Sequence, residues 1–304
     1  MFTPSTQAIS AAVLEIADSG GASADTEMQG RALRSLNAGI KYLNGRQNWS
    51  WLLTENAPIS VVAPFGFTAT VSAGQASGTI GASHGLLVDD FLVGANFQVG
   101  TRVTATGATT LGFSRTVTAT AAGANAVSAT ANRDFYDFPT DWKMPYTVRL
   151  LTSKRTLGIA PRRSYDRSTT DEFTTSTPAW YDLFAGYQKG KMQLLPPPSQ
   201  ADTLLLRYYR RMSVASASAD ATALDIPQDY DFHLIAWAKW HFLTDKGLSD
   251  RAQTWLTLSQ EGIKTMLSDQ TRIPDEDLAF QPGRFHNVYS TSSTRYPNVS
   301  WDYT

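Results

Sequence analysis

Apolar residues recur at three- and four-residue steps in four stretches of the chain, two near each end. Ile9, Ala12, Val13, Ile16 and Ala17 mark one face of a helix that the Thr3-Pro4 pair should open and Gly20-Gly21 should close. Met28, Leu33, Leu36, Ile40 and Leu43 form a second stripe, opened by Thr26 with Gln29 as its capping-box partner and ended by Asn44-Gly45. From Pro227 a third helix carries two stripes, Phe232/Ile235/Ala236/Leu243 and Leu234/Trp237/His241, and a helix apolar on two sides needs cover on both. Beyond Gly247, Ser249 caps a fourth helix lined by Ala252, Trp255, Leu256, Ile263, Met266 and Leu267. A two-helix hairpin cannot cover itself, so the first pair of helices should fold against the last. The expected fold class is α+β: a bundle of about four helices, two N-terminal and two C-terminal, with an inserted β-rich region and an extended C-terminal arm.

Between the helical ends the period changes from 3.6 to 2. Trp49-Ser-Trp51-Leu-Leu alternates as a strand would, with both indoles on one face. From Val71 to Ala131 the only charged residues are Asp89, Asp90, Arg102 and Arg115, and Ala, Thr, Gly, Ser and Val dominate. Low charge with β-branched residues and repeated glycines predicts short strands and tight turns, a small β domain set into a loop. Further strands are expected at Tyr146-Thr-Val-Arg-Leu-Leu, Trp180-Tyr-Asp-Leu-Phe, Lys191-Met-Gln-Leu-Leu and Thr203-Leu-Leu-Leu-Arg-Tyr-Tyr. The organisation follows: N-terminal helices over 1–48, a β-rich middle over 49–225 with its insert at about 71–131, C-terminal helices over 226–270, and an arm over 271–304.

Composition removes several classes of function. The chain of 304 residues has no cysteine, so disulfides and thiolate metal sites are excluded, and its four histidines are scattered. His233 and His241 stand eight residues apart, too far for a helical metal-ligand pair. A formal net charge of -1 gives no global pull toward nucleic acid or an anionic membrane. No run approaches bilayer length, and Met1-Phe-Thr-Pro-Ser lacks the features of a signal peptide, so a soluble protein made in the cytoplasm is expected, with no membrane partner. No phosphate loop, nucleophile elbow or zincin motif is present. Asp134, Asp137 and Asp141 could supply carboxylates to an envelope-degrading enzyme, but turns use aspartate for backbone hydrogen bonds more often. Neither a catalytic residue, a cofactor nor a metal is assigned, and the chain is expected not to be an enzyme.

Three regions resemble phage structural proteins. Gly100-Thr-Arg-Val-Thr-Ala-Thr-Gly-Ala-Thr-Thr-Leu-Gly-Phe-Ser is similar to a Thr- and Val-rich module frequent in them. Asp137-Phe-Pro-Thr-Asp-Trp, the Gln193-Leu-Leu-Pro-Pro-Pro strand end, Leu206-Arg-Tyr-Tyr-Arg-Arg and Asp225-Ile-Pro-Gln-Asp-Tyr resemble, in order and spacing, the adaptor proteins of phage head-to-tail connectors. Asn37-Ala-Gly-Ile-Lys-Tyr-Leu-Asn-Gly-Arg-Gln-Asn-Trp-Ser-Trp fits the same family, while the insert and the stretch beyond Thr271 depart from it. The resemblance implies a structural virion protein of the neck region: a homo-oligomeric ring, usually dodecameric, under the portal protein. Such a ring surrounds the DNA channel and offers its lower face to the next tail component, a nozzle or tail tube. Packaged DNA would pass through without sequence-specific binding.

Two sets of residues are candidates for contact. Arg149, Lys154, Arg155, Arg162 and Arg163 lie in the most basic segment, suited to DNA or an acidic surface, although Asp166, Asp171 and Glu172 beside them also allow local charge pairing. Phe280, Phe285, Tyr289, Tyr296, Trp301 and Tyr303 punctuate a Ser/Pro/Asn-rich C-terminal stretch with anchors but no core of its own, which suits docking on a partner. In the adaptor resemblance that arm reaches the portal or a neighbouring subunit. The alternative function is a virion-surface carbohydrate-binding module acting through the β insert.

Overall fold

A computed structural model describes residues 3–21, 24–118, 124–160, 175–183 and 190–272. The chain divides into two units: Met1–Trp51 with Met212–Thr304, and Leu52–Arg211. A β-rich core overturns the expected helical bundle with an inserted β region. Two curled sheets, of seven and six strands, make the β-rich core, and the four helices stand at the chain ends. The reason is physical. A helix writes its 3.6 period into adjacent residues, whereas the sheet is assembled by pairings such as Leu53 with Tyr209, whose logic no local window contains.

Strand β1 (Leu53–Val61) opens the second unit and leads through residues 62–64 into β2 (Phe65–Ser72). β3 (Ser77–Ile80), β4 (Phe91–Val93), β5 (Val103–Thr106), β6 (Thr110–Phe113) and β7 (Ala124–Asn132) follow, forming with β2 a sheet in the order β4-β7-β2-β3-β6-β5. Its two edges meet. Phe91 bridges Arg102, the Leu92 amide donates to the Thr101 carbonyl (2.8 Å) and the Val103 amide donates to the Asp90 carbonyl (2.9 Å), so the sheet closes into a small barrel. Alternation fills the interior: Phe67, Ala69 and Val71 of β2 and Val127, Ala129 and Ala131 of β7 point inward, packed with Phe97, Leu111 and Phe113. The threonines and serines between them face water, which is why the segment looks polar and nearly uncharged at once.

The chain then lays down β8 (Phe135–Asp137), β9 (Trp142–Leu150), β10 (Arg155–Ile159), β11 (Trp180–Asp182), β12 (Lys191–Leu195) and β13 (Asp202–Arg210). With β1 they order as β1-β13-β9-β10-β11-β12-β8, antiparallel apart from the β10–β11 pair. Val148, Leu150, Met192, Leu194, Leu204 and Leu206 line the inner face, each no more than 1% exposed. The sheet curls until its edges approach: the Tyr136 hydroxyl of β8 accepts from the Val62 amide just beyond β1 (3.2 Å) and donates to the Arg133 carbonyl (3.1 Å). Burial pushes the Tyr136 pKa up to about 12 against the opposing effect of the Val62 bond.

The other unit holds α1 (Ile9–Ser19), α2 (Thr26–Arg46), α3 (Gln228–Asp245) and α4 (Ser249–Arg272). α1 starts later than Thr3-Pro4 predicts, because residues 3–9 run antiparallel to 222–228: Ser5 donates to Ile226, Leu224 to Gln7 and Gln228 to Thr3. Pro4, which has no N–H, bridges Pro227. The cap of α2 is Asp25, accepting from the Glu27 amide at 2.9 Å, and not Thr26. The expected strand at Trp49-Ser-Trp51 is a turn of 3₁₀ helix, Ser50–Leu52, in which the indoles stack at 4.7 Å and the Trp49 Nε1–H donates to Leu43. Around α3, Gly39 of α2 and Gly262 of α4 allow close approach. A Cβ at Gly39 would stand 2.9 Å from Leu234, and one at Gly262 would collide with the His233 ring. Phe232, expected in a core stripe, is 46% exposed. Among the described residues no helix is long and apolar enough to cross a membrane.

Candidate functional site

The basic candidates separate into two groups. Arg149 sits near the end of β9, Lys154 in the following turn and Arg155 at the start of β10, all exposed. None of the three makes an ion pair with a described residue. Arg162 and Arg163 lie outside the described residues, as do Phe280, Phe285, Tyr289, Tyr296, Trp301 and Tyr303 of the arm.

The turn presenting the three cations is fixed from below by Asp202, the first residue of β13. Its carboxylate accepts from the Thr152 amide (2.8 Å), the Ser153 amide (3.2 Å), the Ser153 hydroxyl (2.8 Å) and the Thr203 amide (2.6 Å). Desolvation alone would raise its pKa; these donors outweigh it and hold the group down at about 2. Lys154 takes a left-handed backbone (φ 50°) to close the turn, and Leu151 beside it is 49% exposed. The Asp202 carboxylate is thus occupied by backbone and hydroxyl donors.

A second constellation escaped the sequence reading. Where the barrel adjoins the seven-stranded sheet, Asp134 is 1% exposed and receives both terminal nitrogens of Arg102 at 2.8 Å and the Gln193 amide at 2.7 Å. The Arg102 guanidinium also donates to the Asp89 carbonyl (2.6 Å) and lies 4.9 Å from the Phe135 ring centre. Beside it, Arg133 grips both oxygens of Asp90 at 2.9 Å, and these bonds raise the Arg133 pKa in spite of burial. Lys191 of β12 reaches Asp89 at 3.3 Å. Arg133 and Asp134 form the short link from β7 to β8, so the connector itself supplies half of both bidentate pairs. Sequence reading noticed Asp89, Asp90 and Arg102 as rare charges in the insert. The signal that could have joined them to Arg133 and Asp134 was that each charge sits where burial demands a partner.

The three carboxylates considered for catalysis are not brought together. Asp134 is bound by Arg102; Asp137 is largely exposed; Asp141 accepts from the Tyr208 hydroxyl at 2.8 Å. The histidines are also dispersed. His241 Nδ1 and the Ser35 hydroxyl share a hydrogen bond of 3.1 Å, His84 Nε2 meets the Gly107 carbonyl at 3.2 Å, and burial lowers the pKa of His233 although Asp231 opposes it. Among the described residues no three groups of His, Asp or Glu are placed to hold a metal ion.

In the helical unit, the stretch that carried part of the resemblance has a definite task. Asn37 donates to the Ala215 carbonyl and accepts from its amide, both at 2.9 Å; Asn44 does the same for Met212 at 3.2 and 2.9 Å. Seven residues apart, they share one face of α2 and hold the extended segment that follows β13.

What these parts have in common is holding, of a turn, a module and a connecting segment, and the family comparison agrees with that character. The model of the SU10 adaptor protein family matches residues 108–281, more than half of the chain. The chain belongs to the SU10 adaptor protein family. It is therefore a phage structural adaptor and a virion component, in a family that is not one of enzymes. The match starts inside the barrel, just before β6, in the stretch expected to depart from the family, and continues through β7–β13, α3 and α4 into the arm. Asn37 and Asn44 lie outside it. No curated protein matches the chain.

Proposed function

We propose that this adaptor forms the ring that joins the portal of a tailed phage to the next tail component, a nozzle or tail tube, in the virion neck. The observation that carries the reading is the SU10 adaptor match over 108–281, which spans most of the seven-stranded sheet and both C-terminal helices. The ordered connector motifs from Asp137 to Tyr230 support it further. Twelve copies would surround the channel through which DNA passes during ejection, and a net charge of -1 suits a wall that does not grip DNA. Copies assemble in the host cytoplasm and stay in the virion.

The arm is the portal contact in this proposal. Phe280, Phe285, Tyr289, Tyr296, Trp301 and Tyr303 give it six aromatic anchors, the residue types that dominate binding energy at interfaces. Deleting 273–304 should leave the melting temperature of the remaining chain within a few degrees of full length and abolish co-sedimentation with purified portal. Normal co-sedimentation of the truncated chain would remove the arm from the contact.

A further inference from the structure

In the proposed adaptor role the chain holds two different partners, and the arm is assigned to one of them. We propose that the β9–β10 turn is the second docking element, a preformed cationic tip that inserts into an acidic protein surface on the tail component following the ring. The inference rests on the adaptor reading and names the surface through which its tail side acts.

Three observations carry it. Arg149, Lys154 and Arg155 stand exposed around one turn and pair with no acid among the described residues. Asp202 accepts from four donors of Thr152, Ser153 and Thr203, so it fixes the turn and is itself engaged by groups other than the cations. Because those bonds order the turn before any partner arrives, docking does not have to supply the entropy of ordering it. Finally, Leu151 is 49% exposed among the cations. A contact that covers an aliphatic side chain while neutralising three charges fits a protein surface with carboxylates around an apolar hollow. A nucleic-acid backbone would neutralise the charges and leave Leu151 in water, and no aromatic side chain stands in the turn for a base to stack on.

The test uses the full-length chain, purified portal and the purified tail component, with binding measured across about 0.05 to 0.5 M salt. The wild type should bind both proteins, and the tail contact should weaken at least about tenfold as salt rises. The triple variant R149E/K154E/R155E should lose at least about tenfold of tail binding, keep its portal binding and melt as the wild type does. If the reversed charges unfold the chain, R149Q/K154Q/R155Q replaces it, with the same expectation and a smaller loss. Tail binding unchanged in a folded variant overturns the inference and leaves the adaptor reading standing, as does a wild type that binds portal alone. A lowered melting temperature in the Gln variant with full tail binding assigns the cations to pairs within their own chain and also overturns it. A gel shift of duplex DNA that the variants lose, with tail binding intact, overturns it in favour of nucleic acid. A wild type that binds neither protein overturns the adaptor reading itself.

Discussion

Asn37 and Asn44 each spend both halves of a side-chain amide on one backbone residue, mimicking the pairing a neighbouring strand would give. Replacing Asn37 with Ala strands the amide and carbonyl of Ala215, which is 6% exposed, and should cost about 1–3 kcal/mol in denaturant unfolding. Asn37→Asp keeps the acceptor, loses the donor, and should fall between. The family-like stretch around them was visible in the sequence, but their task was not, because the partners lie 178 and 168 residues away. Asp202 makes a prediction in pH. Its folded pKa of about 2 lies below the ordinary carboxylate value, so its contribution to stability is complete above about pH 4 and is lost as pH falls toward 2. Asp202→Asn should therefore lower the melting temperature at neutral pH and leave the difference from wild type much smaller at pH 2. An equal difference at both values would mean that the carboxylate's charge does not hold the turn.

Among the elements, the barrel is best understood as a module locked to the sheet beside it. Two short connectors and the Arg102–Asp134 and Arg133–Asp90 pairs hold it, and Asp134 and Asp90 are almost wholly buried. Removing one member of a buried pair leaves the other charge unpaired. Arg102→Ala should cost about 2–4 kcal/mol, below the full penalty because 24% of the Arg102 side chain remains in water. It should also speed hydrogen exchange over residues 85–90, while R102M/D134L, which removes both charges, should recover part of the loss. Exchange unchanged in Arg102→Ala would show that the connectors alone hold the barrel. At this scale the sequence was legible where period is local: the four helices and the strands of 191–195 and 202–210 follow from spacing. It misled where long-range pairing decides. Residues 3–8 are drawn out of the first helix by 222–228, and Ser50–Leu52 winds into a 3₁₀ turn beside Trp49, whose indole bonds Leu43.

For the whole molecule, the helices dominated the sequence reading because their signal is strong per residue, whereas the sheets build the β-rich core through many short, weakly patterned strands. Closure of the barrel depends on Phe91 meeting Arg102, an encounter that no window of the insert announces. The family was more legible than the fold, since its motifs keep their order whatever their secondary structure. Arg162, Arg163 and the aromatic arm remain sequence-level candidates outside the described residues. The central claim, a ring between portal and tail, is tested most directly by cryo-electron microscopy of the purified full-length chain mixed with the portal of the same phage. The account predicts a ring of this chain stacked coaxially on the portal, with density for the arm entering the portal surface. Monomers that leave the portal bare, at concentrations where the portal is intact, would contradict it.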